Sequence, residues 1–160
     1  MLRLLTLLAL LSQNFAWGEP VVDLVRVLKS EHKLQLISVG KVTREFDVAL
    51  GGQPIGHKLQ EGDGRTPEGF YTLDYKKSDS AFYRALHISY PNSLDIAAAK
   101  ARGVSPGGAI MIHGQKNGLG WLSFISQGFD WTNGCIALTN SDMDIVWGEV
   151  NEGTKIEIKP

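Results

Sequence analysis

The residue types that can do chemistry gather in one short stretch near the C-terminus, Thr132-Asn133-Gly134-Cys135-Ile136-Ala137-Leu138. Cys135 is the only cysteine among the 160 residues. The small Asn133-Gly134 turn delivers it into an apolar run. Upstream, Ile110-Met111-Ile112-His113-Gly114 ends a second apolar run on a histidine. A thiol becomes an effective nucleophile when a neighbour takes its proton, and imidazole, titrating near neutrality, is the usual partner. Cys135 as nucleophile and His113 as general base therefore form the candidate pair. Pairing of this kind lowers a thiol from about 8.5 toward roughly 3.5–7.5, so alkylation is expected to persist below about pH 7. The backbone N–H groups of Gly134 and Cys135 are the candidate oxyanion donors.

The remaining histidines are less well placed. His32 falls in a hairpin turn and reads as solvated. His57 lies in a long loop and could line the cleft, while His87 sits within a strand of alternating burial and reads as structural. Cysteine plus histidine also invites a zinc reading, but no C-x-x-C or H-x-x-x-H spacing is present, which puts a structural zinc site well below catalysis. No metal and no cofactor is expected.

Two long loops flank these residues. Gly51 to Gly69 carries Gly62-Asp63-Gly64-Arg65-Thr66-Pro67-Glu68-Gly69, and loops of this length in a compact domain are often functional. Gly114 to Thr132 carries Trp121, Phe124, Phe129 and Trp131 between the candidate base and the candidate nucleophile, a composition that suits either packing or a lid over a cleft.

The elements that must position these loops are mostly strands. Val21 to Lys29 and Lys33 to Val39 alternate and read as a hairpin about Glu31-His32. Val42 to Leu50 reads as a third strand and Phe70 to Tyr75 as a fourth, with Lys76 to Ser80 a polar connection. Phe82 to Tyr90 reads as a strand stopped by Pro91-Asn92-Ser93, which then cap a helix over Leu94 to Arg102. Ala109 to His113 and Cys135 to Leu138 are short strands, and Trp121 to Ser126 a helical turn. A helix starting at Asn140-Ser141-Asp142 places Met143, Val146, Trp147 and Val150 on one apolar face, and Lys155 to Lys159 closes the chain as a strand. The fold class is mainly β with a few short helices.

Composition sets outer bounds. The chain is 43% hydrophobic and 21% charged, with net charge −1; one globular domain fits this length, and no basic cluster is present of the kind that phosphate binding needs. Nucleic acid is therefore not an expected partner. Residues 1–18 read as a signal peptide: Arg3, the apolar run Leu4 to Leu11, then Ala16-Trp17-Gly18 with small residues at the positions a signal peptidase reads. A run of eight residues is too short to span a bilayer, so residues 19–160 are expected as one exported domain without stable membrane insertion. Exported proteins meet oxidising compartments. A cysteine with no intramolecular partner there is either a buried core thiol or a reactive one kept single for chemistry.

Together these motifs resemble a known family. Met111-Ile112-His113-Gly114 followed by Thr132-Asn133-Gly134-Cys135-Ile136-Ala137-Leu138 is similar to the catalytic signature of the L,D-transpeptidases of the YkuD type. Gly62 to Tyr71 resembles the upstream motif of that family, and Ile88-Ser89-Tyr90-Pro91-Asn92 with Asp95 resembles its branch from Gram-negative envelopes. The resemblance runs from about Val22 to Ile158. It implies a β-sandwich catalytic domain and, as substrate, the stem peptide of peptidoglycan, with a periplasmic location. Cys135 would attack the carbonyl of the third stem residue and expel D-alanine. The thioester would pass to an amine, giving a 3–3 cross-link or attachment of an envelope protein. His113 would be the base, Gly134 and Cys135 the oxyanion donors, and Thr132 the brace of the turn. Gly114, Asn133, Arg65, Tyr90 and Trp131 would contribute to substrate binding. The protein is expected to act as a monomer. Two positions depart from the family pattern: Asn133 stands where a histidine is usual and Ala137 where an arginine is usual. Transfer to an amine and hydrolysis by water, as in an L,D-carboxypeptidase or an amidase that releases a peptidoglycan-linked lipoprotein, both stay open.

Overall fold

The computed structural model describes residues 21–160. The expected signal peptide over residues 1–18 lies outside the described residues. The strands are β1 Leu24–Leu28, β2 Lys33–Ser38, β3 Lys41–Asp47, β4 Gly69–Ser80, β5 Tyr83–Ile88, β6 Met111–His113, β7 Ile136–Ala137 and β8 Lys155–Lys159. Three short helices join them: α1 Ser93–Ala101, α2 Ser123–Ser126 and α3 Asn140–Glu149. All strands belong to one mixed sheet in the order β3-β2-β1-β8-β4-β5-β6-β7. Among the described residues, no helix is long and apolar enough to cross a membrane.

Alternation decides which face of each strand is buried. Val25 and Val27 of β1 pair with Leu36 and Leu34 of β2 on one side and with Ile156 and Ile158 of β8 on the other. Tyr71 continues the first of these rows from β4. All seven side chains are buried, and a slip of one residue in any strand would turn its members to solvent. Burying one such aliphatic side chain stabilises the fold by about 1.5–3 kcal/mol.

The sheet turns over through β4. Its first residues, Gly69 to Thr72, pair with β8, whereas Leu73 to Ser80 pair with β5, with a register shift between Leu73 and Lys76. The two halves of the sheet then face a common core. Their far ends are tied: Ala49, just after β3, exchanges backbone hydrogen bonds of 2.9 and 2.8 Å with Ala137 of β7. The sandwich is one sheet folded on itself.

Several boundaries differ from the sequence reading. Lys76 to Ser80 is strand, not connection, because a two-stranded ribbon with β5 satisfies its backbone while Ser78 and Asp79 stay in water. The third strand stops at Asp47, and Val48 to Leu50 run on to meet β7 instead. The cap of α3 is Thr139, whose hydroxyl accepts the Asp142 N–H at 3.1 Å. That frees Asn140 for another task near the site. Met143, Val146 and Val150 are buried with Trp147 packed against them, so the apolar face of α3 lies on the core. Asn92 caps α1 in a reciprocal box with Asp95.

Candidate active site

The turn carrying Cys135 is held by one hydroxyl. Thr132 Oγ1 donates to the Cys135 carbonyl at 2.7 Å and accepts the Gly134 N–H at 3.1 Å. Thr132 is itself fixed, its N–H donating to Leu50 O at 3.1 Å and its carbonyl accepting from Gly52 at 3.0 Å. Gly134 sits at φ 117, where a side chain is strained. A Cβ there would lie 2.5 Å from Arg65 O and 3.2 Å from Ile110 Cδ1. Of the two expected oxyanion donors, the Gly134 N–H is therefore engaged by Thr132. The Cys135 N–H makes no hydrogen bond among the described residues.

The Gly-Asp-Gly-Arg loop braces this turn from behind. Asp63 accepts from Lys58 Nζ at 2.9 Å and from the backbone N–H of Leu59, Gln60 and Arg65 at 2.7, 3.1 and 3.0 Å. Burial alone would raise this carboxyl, but the Lys58 ammonium and the three N–H donors outweigh it and hold it at about 2. Arg65 contributes its backbone carbonyl against Gly134. Its guanidinium reaches back to the His57 carbonyl at 3.5 Å and does not line the cleft.

His113 ends β6 opposite Ala85 of β5 and beside Ala137 of β7. Its Nδ1 lies 2.7 Å from the Gly114 carbonyl. A carbonyl only accepts, so Nδ1 carries the hydrogen of the neutral ring and Nε2 bears the lone pair. The ring packs between Phe82, centroids 4.7 Å apart, and Trp131, 5.8 Å apart. Gly114 is glycine for a packing reason. A Cβ would lie 2.7 Å from Asn140 Oδ1 and 3.0 Å from Tyr83 Cβ. Asn140 Oδ1 also accepts the Gln115 N–H at 2.8 Å. The slot beside the histidine is thus filled by protein, and Gly114 does not line the cleft.

Cys135 and His113 line the same cleft, of about 400 Å³, together with Trp131, Thr132 and Asn133. Among the hydrogen bonds of the described residues, none joins Sγ to the imidazole; the thiol points at Ala109 O, 3.7 Å away. Burial pushes the Cys135 thiol up, against the Met111 N–H and the Lys58 charge, which pull it down. Burial pushes His113 down, against its contact with the Gly114 carbonyl, which raises it. The resting pair is neutral thiol and neutral imidazole. The lowered thiol expected from sequence is not what this geometry gives, because an apolar cleft penalises both charges and the contacts to each group do not outweigh that.

The remaining predicted residues fall elsewhere. Tyr90 is buried, its hydroxyl donating to Pro106 O at 2.9 Å and its ring edge-on to Tyr71; it does not line the cleft. Burial pushes its phenol up to about 12. His57 accepts the Glu68 N–H on Nδ1 at 2.9 Å and faces Asp95 through Nε2 at 3.1 Å, tying α1 to the first long loop rather than lining the cleft. His32 is not simply solvated: Nε2 meets Asp130 at 3.0 Å. His87 pairs with Asp74 at 2.7 Å and stacks on Tyr75, a structural placement. Ala137 is fully buried and outside the cleft. Residues that the sequence reading left out do line it: Lys77, Phe82, Ala85, Ala109 and Met111. Only strand pairing brings them there. Among the described residues, no cluster of three His, Cys, Asp or Glu could hold a metal ion.

Comparison with known proteins agrees with this arrangement. The YkuD family, the L,D-transpeptidase catalytic domain, matches residues 22–158. A protein of Escherichia coli K12 named "Putative L,D-transpeptidase YafK" is 32% identical over 119 residues, which cover 71% of this chain and 46% of that protein. A mutant of Pgp2, the helical cell shape determining protein of Campylobacter jejuni, superposes with a TM-score of 0.66 at 28% identity, covering 88% of this chain and 48% of that one. The L,D-transpeptidase of Xylanimonas cellulosilytica shares the fold, with a TM-score of 0.56 at 15% identity over 88% of this chain and 62% of that one. The chain spans about half the length of the curated relatives it matches. With cysteine and histidine in one cleft of a folded-over sheet, and a family match over nearly all its described residues, the chain belongs to the YkuD family of L,D-transpeptidase catalytic domains.

Proposed function

We propose that this chain is an exported cysteine L,D-transpeptidase that acts in the periplasm on peptidoglycan stem peptides through a thioester on Cys135. The observation that carries this reading is the histidine tautomer: His113 Nδ1–H is held by Gly114 O, which leaves the Nε2 lone pair as the basic site in the cleft that Cys135 also lines. In the first step the Sγ proton passes to Nε2 and sulfur bonds to the carbonyl carbon of the third stem residue. The Cys135 N–H is the free donor at the turn for the resulting oxyanion. Collapse breaks the C–N bond to D-alanine, whose nitrogen takes the proton from Nε2. In the second step an amine acceptor gives a proton to Nε2, bonds to the acyl carbon and releases Sγ, which recovers its proton. The resting neutrality of both groups fits this sequence, since each proton transfer occurs with substrate in place and water displaced. By analogy with Pgp2, the biological outcome would be wall remodelling that bears on cell shape.

A hydrolase on the same scaffold remains the second reading. It is favoured by the buried Ala137, which supplies no charge where the family carries arginine. Incubation with disaccharide tetrapeptide tests both. Release of D-alanine that vanishes in Cys135→Ala supports the thioester path, and undiminished release in that variant overturns it. Mass spectrometry of the products then separates cross-linked dimers, which mean transfer, from trimmed monomers, which mean hydrolysis.

A further inference from the structure

The cleft has a charge that the mechanism above does not use. Among the described residues that line it, Lys77 is the only one bearing a full charge; the others are apolar or neutral polar, apart from His113 and Cys135 themselves. Strand register explains its position. Lys77 of β4 pairs with Ala85 of β5, and Ala85 pairs with His113 of β6. The three residues form one row across three strands, so their side chains share a face of the sheet. The middle member is an alanine that lines the cleft, leaving a gap between a lysine on one wall and the imidazole on the other. Two strand spacings of about 4.8 Å put roughly 10 Å between the outer backbones.

We propose that Lys77 is the specificity-determining residue of the cleft, its ammonium receiving a free carboxylate of the peptide whose carbonyl Cys135 attacks. This rests on the peptidoglycan reading above. One residue beyond the scissile bond spans roughly 3.5 Å, so the terminal carboxylate of the donor falls within the gap. A side-chain carboxylate on the attacked residue does so equally. Lys77 is available for the exchange: its present partner is Asp79, 2.9 Å away, with side chains 43% and 84% exposed, and ion pairs this exposed contribute little. Among the described residues no other lysine or arginine lines the cleft, and residue 137 is an alanine with no exposure. The Lys58 ammonium does not line the cleft and is turned to Asp63 and the Gln60 carbonyl.

Three peptides test this: a tetrapeptide with both carboxylates free, one amidated at the C-terminus and one amidated on the third side chain. With the free peptide, Lys77→Gln is expected to raise KM tenfold or more with kcat within threefold, and Lys77→Arg to recover most of the loss. In the Cys135→Ala background, the same Lys77→Gln change is expected to weaken binding of the free peptide, measured by calorimetry, at least tenfold. The amide that erases this difference identifies the carboxylate. Equal KM and Kd for Lys77 and Lys77→Gln, or a difference that persists with both amides, overturns the assignment. Turnover with no dependence on Lys77 sinks this inference alone. Lys77-dependent binding without turnover sinks the transpeptidase reading alone, and failure of all three peptides to bind sinks both.

Discussion

Replacing Thr132 by valine removes a hydroxyl while keeping the branched shape, so the outcome reports on two hydrogen bonds. The hydroxyl holds the Cys135 carbonyl at 2.7 Å and the Gly134 N–H at 3.1 Å, and Thr132 is 7% exposed. Each bond contributes about 1 kcal/mol net, and each buried group left without a partner costs about 1–3 kcal/mol. Because the turn can relax, the expected loss is about 2–4 kcal/mol, a fall in Tm of roughly 5–15 °C for a domain of this size. Activity should suffer more than stability, since the hydroxyl sets where sulfur sits, and a shift of about 1 Å costs on the order of 100-fold in rate. Differential scanning calorimetry and the D-alanine release assay read the two effects, with Thr132→Ser as the control that restores both bonds. Thr132→Val with a Tm within 1 °C of the parent and full turnover would show that the hydroxyl does not hold the turn.

Four further outcomes follow from the same geometry. Cys135 is held above the ordinary thiol value, about 8.5, so less than about 3% is thiolate at pH 7, and iodoacetamide alkylation should rise about tenfold per pH unit between pH 6 and 8; a rate that stays flat below pH 7 would mean a resting thiolate–imidazolium pair. The same two groups shape stability, because the unfolded chain binds the proton more readily at His113 and releases it more readily at Cys135. Tm should therefore fall as pH drops below the ordinary histidine value of 6.5 and as it climbs above 9.0, with Cys135→Ala removing the alkaline contribution. Tyr90→Phe loses one bond to Pro106 O and about 1 kcal/mol, with KM unchanged; a severalfold rise in KM would return Tyr90 to the substrate site. Gly114→Ala forces Asn140 Oδ1 away from its 2.7 Å approach and should cost about 1–3 kcal/mol, like other overpacked positions.

What the sequence made legible is what local pattern controls. Alternation in Val25 and Val27, in Leu34 and Leu36, and in Ile156 and Ile158 placed strands correctly because one face of each is buried. The spacing of Met143, Val146 and Val150 did the same for α3. Cys135 and His113 stood out because each ends an apolar run beside a small residue. Long-range pairing was not legible. Lys77, Ala85 and His113 lie in one row only because β4, β5 and β6 pair in one register, and the polar run Lys76 to Ser80 reads as a loop until its partner strand is known. Gly114 and Tyr90 were read toward the substrate, yet the contacts that fix them are Asn140 and Pro106, distant in sequence or invisible to periodicity. The protonation of the Cys135 and His113 pair also lay beyond the sequence, because it depends on how dry the cleft is.

Cys135 is expected to form an acyl thioester in a cleft where His113 takes its proton. A carbapenem tests it directly, because attack on the β-lactam carbonyl opens the ring and leaves the whole molecule on sulfur with no leaving group lost. Intact-protein mass spectrometry should show a gain of one carbapenem mass, localised to Cys135 by peptide mapping, absent in Cys135→Ala and slowed at least 100-fold in His113→Ala. An unshifted mass for the parent protein, or an adduct that persists in Cys135→Ala, would mean that Cys135 is not the nucleophile.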